Sequence, residues 1–90
     1  MKIEKYLISK GIKAANKGFD CLIEAIKLMQ KDRTYKNFIT KRLYPDVAAI
    51  LGETPNKVER SMRHELIRSK IGLTVSEFVT RAALELSVKR

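Results

Sequence analysis

The stretch PDVAAILGETPNKVERSMRHELIRSK, Pro45 to Lys70, decides how the chain is to be understood. A proline opens it, where a missing amide proton does no harm at the first helical position. The apolar run Val47, Ala48, Ala49, Ile50, Leu51 stops at Gly52, which tolerates the left-handed conformation that ends a helix. Thr54 and Pro55 restart the chain as N-cap and first helical residue. Helix, a turn of about four residues and helix is the helix-turn-helix pattern, with Ala48 expected at the close crossing.

The second of these helices divides by chemistry. At 100° per residue, Val58, Met62 and Leu66 fall in one arc, whereas Lys57, Arg60, Arg63, His64 and Arg68 take the opposite side. Glu53, Glu59 and Glu65 lie at the margins or off the basic arc. An α-helix fits the major groove of DNA, where arginine bonds two guanine acceptors at once. Arg60 and Arg63, one turn apart, suit that role. Glu59 is open to two readings, a carboxylate accepting from a cytosine amino group or an ion pair with Arg63 four residues on. Thr54, Asn56 and Lys57 sit at the end that approaches the groove, where phosphate contacts are expected, although capping alone accounts for Thr54. His64 is placed for phosphate or a base edge; with no partnered Ser, Cys or carboxylate motif, it is not read as a catalyst.

The rest of the chain is read as helical too. Ile3 to Ser9 forms a short first helix ending at Lys10-Gly11, with Tyr6 and Leu7 inward. From Gly18 to Lys31, Phe19, Leu22, Ile23, Ile26 and Met29 recur at three- and four-residue intervals. Tyr35 to Leu43 is predicted to be one helix with Phe38, Ile39 and Leu43 on a face, ending before Tyr44 because Pro45 disfavours helical geometry there. In the last segment Thr74 and Glu77 have capping-box spacing, followed by an inward stripe of Val75, Phe78, Val79, Ala82, Ala83 and Leu86. The expected fold is all-α, a bundle of five to six helices in a single domain over 1–90. N-terminal helices span 1–43, the helix-turn-helix 45–70 and a closing helix 74–88.

Nineteen basic against 10 acidic residues give a formal charge of +9, which points to a polyanionic partner. Lys41 and Arg42, with Lys36 and Lys31 upstream, form a secondary basic patch suited to the DNA backbone, or simply a solvated face. No apolar run approaches the roughly 20 residues of a membrane span, so a cytoplasmic protein without membrane attachment is expected. Cys21 is the one cysteine and has no ligands at metal spacing, and Asp20 with Glu24 lacks a second ligand set. No metal, cofactor or enzymatic activity is expected. The aromatic residues follow core spacing and do not interleave with basic ones as a base-stacking platform would, which counts against single-strand binding.

The segment ITKRLYPDVAAILGETPNKVERSMRHELI, Ile39 to Ile67, resembles the C-terminal DNA-binding effector domain of the master sporulation response regulator of spore-forming bacteria. The steps LYPD, VER and RH carry the likeness, with KGF and an apolar LIEAI upstream. It extends from about Lys17 to Arg68 and more loosely through SEFV. The resemblance implies an all-helical domain whose motif-bearing helix enters the major groove of a short, guanine-containing promoter box. By position it makes Glu59, Arg60 and Arg63 base-reading residues, with Asn56, Lys57 and His64 beside the backbone. Double-stranded DNA is the implied partner, with RNA polymerase and a second copy on the DNA as further ones. Departures are the lack of a preceding receiver domain, from which no control by phosphorylation in cis is expected, and the short SKIGLT connection where the family has a further helix. Asn56 and Lys57 also differ from the family's usual choices. The rival readings are a stand-alone interaction module acting on a regulator or polymerase, and a basic RNA-binding protein.

Overall fold

A computed structural model describes residues 2–87. Its helices are α1 (Lys2–Ser9), α2 (Lys17–Lys31), α3 (Tyr44–Leu51), α4 (Pro55–Arg68) and α5 (Val75–Ser87), and no strand occurs among the described residues. The protein is an all-α bundle organised around α2. Phe19, Cys21, Leu22, Ile23, Ala25, Ile26 and Met29 of that helix are buried, and its main packing partners are α4 and α5. Three- and four-residue spacing of apolar groups puts them on one broad face, and burying that face drives the assembly. Ile3 and Leu7 bring α1 onto the same core, while the half-buried Tyr6 ring meets Phe78 of α5 at 6.2 Å. The expected last helix runs to Ser87, with Leu86 only half-buried; its final residue, Val88, lies outside the described residues. No helix among the described residues is long and apolar enough to cross a membrane.

The segment 35–43 departs from the expected single helix. Arg33–Asn37 is a 3₁₀ turn, Phe38 breaks it at φ −140°, and Ile39–Leu43 is a π-helical turn that runs directly into α3. Asp32 initiates the first piece: its carboxylate accepts from the Thr34 amide at 3.0 Å and from the Thr34 hydroxyl. Tyr35, buried, donates its hydroxyl proton to Asp46, which pins the piece to α3. Phe38 is consequently 44% exposed rather than inward.

Tyr44 is helical at φ −62°, ψ −45°, contrary to the expectation that Pro45 would exclude it. The wider π turn resolves the conflict. The Tyr44 amide reaches back five residues to the Ile39 carbonyl, loosening the register where the Pro45 ring would otherwise press on the carbonyl of residue 41. Burial of the Tyr44 ring then holds the conformation.

One glycine governs how α2 meets α4. A Cβ placed on Gly18 would lie 2.5 Å from the Ser61 carbonyl oxygen and closer still to the Glu65 side chain. Only a hydrogen fits there. In an open helix, glycine to alanine gains up to about 1 kcal/mol. Here overpacking should reverse the sign, and Gly18→Ala should lose about 1–3 kcal/mol in urea unfolding. An unchanged or higher midpoint would show that the two backbones do not touch.

Candidate nucleic-acid interface

The helix-turn-helix is built by local chemistry. Leu51 ends α3, Gly52 is left-handed at φ 68°, ψ 36°, and the Glu53 amide returns to the Ala48 carbonyl at 2.9 Å. Thr54 caps α4, its hydroxyl accepting from the Lys57 amide at 3.3 Å. The turn is three residues, Gly52 to Thr54. At the far end Lys70 adopts φ 58° and the Ile71 amide bonds the Leu66 carbonyl, which stops α4.

Three connections fix α4 in place along its length. Lys17 bonds Glu53 just before its start. Asn16 donates to Glu65 at 3.1 Å in its C-terminal half, beside the Gly18 contact. The Ser69 hydroxyl donates to the Gly11 carbonyl at 3.3 Å beyond its end. Glu65 is 4% exposed, so it points into the bundle rather than toward the margin of the charged face. The charge of Glu65 suggests solvent and conceals this position in the sequence. The signal was there: Val58, Met62 and Glu65 follow one another at spacings of four and three, the period of a buried stripe.

With Val58, Met62, Glu65 and Leu66 inward, the outward arc carries Asn56, Lys57, Arg60, Arg63, His64, Ile67 and Arg68, all exposed. Arg60 lies at its centre by the 100° spacing. Arg63 is bonded to Glu59, Nε to Oε2 at 3.3 Å, the four-residue ion pair that was one reading of Glu59. Such exposed pairs are worth only about 0.3–0.5 kcal/mol, so a stronger anion can displace the carboxylate from the guanidinium. Among the described residues Arg60 and His64 have no side-chain bond or ion pair.

The secondary patch is divided by the fold. Arg42 stacks at 4.4 Å over the Tyr35 ring and bonds Asp32 at 3.4 Å, which engages it internally. Lys36 and Lys41 remain exposed. Lys41 follows Thr40, which with Ile39 and Tyr44 lines a groove of about 350 Å³ shared with Glu59, Arg63 and Ile67 of α4. The surface around α4 therefore continues toward the π turn. Burial, with the Glu59 carboxylate nearby, raises the Tyr44 phenol above its ordinary value, so Tyr44 stays neutral beneath this surface. Burial likewise pushes the Cys21 thiol up to about 11, leaving it an inert core group. Among the described residues no group of three or more His, Cys, Asp or Glu side chains is placed to hold a metal ion.

A three-residue turn joining two helices, with a cationic, solvent-facing second helix, defines a helix-turn-helix domain of the DNA-binding class. The family model described as "Sporulation initiation factor Spo0A C terminal" matches residues 3–83, and the chain belongs to that family. It is a family of DNA-binding domains.

The Lys17 contact gives the site a pH dependence. The Lys17 ammonium donates to Glu53 and holds its carboxyl below the ordinary value of 4.5. A depressed carboxyl stabilises the fold fully above that ordinary value and ceases to do so as pH falls through the folded one. Thermal melts should therefore place the wild type above Glu53→Gln at neutral pH, with the gap closing in strong acid. A gap of equal size at both pH values would contradict the ion pair.

Proposed function

We propose that the protein is a sequence-specific regulator of transcription that inserts α4 into the major groove of a short, guanine-containing promoter box. The single domain over 1–90 is divided by role in this reading. Residues 1–43 and 74–88 support the helix-turn-helix of 45–70. Arg60 and Arg63 each bond the O6 and N7 acceptors of a guanine, and Glu59, freed from Arg63, accepts from a cytosine amino group. Thr54, Asn56, Lys57 and His64 hold phosphate, and Lys41 holds the backbone from the π turn. The observation that carries the proposal is the division of α4, with Arg60 unpaired at the centre of an outward cationic arc and Val58, Met62 and Leu66 locked inward. Such a surface suits regular duplex more than an unstacked strand, for which aromatic platforms would be needed. The partners beyond DNA are RNA polymerase and a second copy bound to an adjacent box, within the cytoplasm.

Fluorescence anisotropy of a labelled duplex bearing the guanine-containing box, against a scrambled duplex over a salt series, tests the proposal. A preference for the box that survives moderate salt is expected. Arg60→Ala should cut that preference by the equivalent of about 1–3 kcal/mol. Lys41→Ala should instead weaken both duplexes alike and lower the salt slope by about one unit. Equal losses on both duplexes for Arg60→Ala would overturn the base-reading role.

A further inference from the structure

Ile67 is the apolar exception on the cationic arc of α4. It is 68% exposed, the most exposed large apolar side chain among the described residues. With Arg60, Arg63 and His64 it lines a shallow depression of about 210 Å³. It follows Arg63 by four positions and Arg60 by seven, so the three side chains form one stripe down the helix. A helix rise of 1.5 Å per residue sets Ile67 about 6 Å beyond Arg63 along the axis, or roughly two base steps of 3.4 Å.

A β-branched side chain has a stiff first torsion, so Ile67 presents a fixed apolar surface at little entropic cost. The apolar group that the major groove offers to such a surface is the thymine C5-methyl. We propose that Ile67 is a specificity-determining residue that packs on a thymine methyl about two base steps from the guanine read by Arg63. This rests on the major-groove reading of Arg60 and Arg63. The stripe then reads guanine through hydrogen bonds at one end and thymine through an apolar contact at the other.

The test isolates the methyl group. The preferred box is selected from a pool of random duplexes by the wild-type chain, and each thymine is then replaced singly by deoxyuridine, which keeps every hydrogen bond and lacks only the methyl. At one thymine the wild type should bind the uracil duplex about fourfold more weakly, the loss that one buried methyl implies. Ile67→Ala should bind the two duplexes alike at that position, while Ile67→Val should keep part of the difference. The alanine variant should melt as the wild type does, because the side chain is exposed. A wild-type chain that selects a box yet shows a thymine-to-uracil ratio near one everywhere overturns this inference alone, and is what a protein segment seated on Ile67 would give. An unchanged ratio in Ile67→Ala also overturns it. Failure to select any box overturns the base-reading proposal beneath it.

Discussion

The absence of a side chain at Gly18 is the constraint on which the rest of the structure depends. It lets the backbone of α2 touch α4 at Ser61, and the residues just before it make the flanking bonds, Asn16 to Glu65 and Lys17 to Glu53. Three consecutive residues thus set the depth, roll and starting point of α4. Any of these bonds alone is modest, since an exposed ion pair contributes about 0–1 kcal/mol and a hydrogen bond on the order of 1 kcal/mol. Their joint effect is geometric. A helix seated by backbone contact cannot rotate about its axis without lifting Val58, Met62 and Leu66 out of the core.

That rotation is what matters for function. A roll of one residue position is 100°, enough to turn Arg60 from the centre of the outward arc past its edge. Burying Glu65 against Asn16 serves the same end. A carboxylate on the outward arc would oppose DNA phosphates, whereas in the bundle it has a hydrogen-bond partner and lies on the side of α4 away from the exposed arginines. The remaining acidic group near the arc, Glu59, neutralises Arg63 in the free protein and is lightly held. Arg60 carries no such restraint.

Much of this was open to inspection in the chain. The α2 stripe from Phe19 to Met29, the Gly52 turn, the Thr54 cap and the Thr74–Glu77 box all rest on local rules, and local rules suffice where an element's neighbours ask nothing unusual of it. The segment from Tyr35 to Tyr44 departs from the expected helix because its conformation is set from a distance. Tyr35 is drawn inward by Asp46, Arg42 is taken up by Tyr35 and Asp32, and the π turn makes room for Pro45. Glu65 was hidden for another reason: its charge suggested solvent while its spacing suggested core, and Asn16, 49 residues away, decides the matter. The exposed basic arc of α4 was identifiable by face, because exposure on an amphipathic helix follows from the burial of its opposite side.

The most direct measurement of whether the seated α4 is the DNA-reading surface is an amide NMR titration of the protein with an unlabelled duplex that carries the guanine-containing box. Shifts concentrated from Gly52 through Ile67 and around Lys41, with α1 and α5 undisturbed, are expected. Perturbation centred on α1 or α5 while the Arg60 and Arg63 amides stay in place would contradict the assignment of α4 as the reading helix.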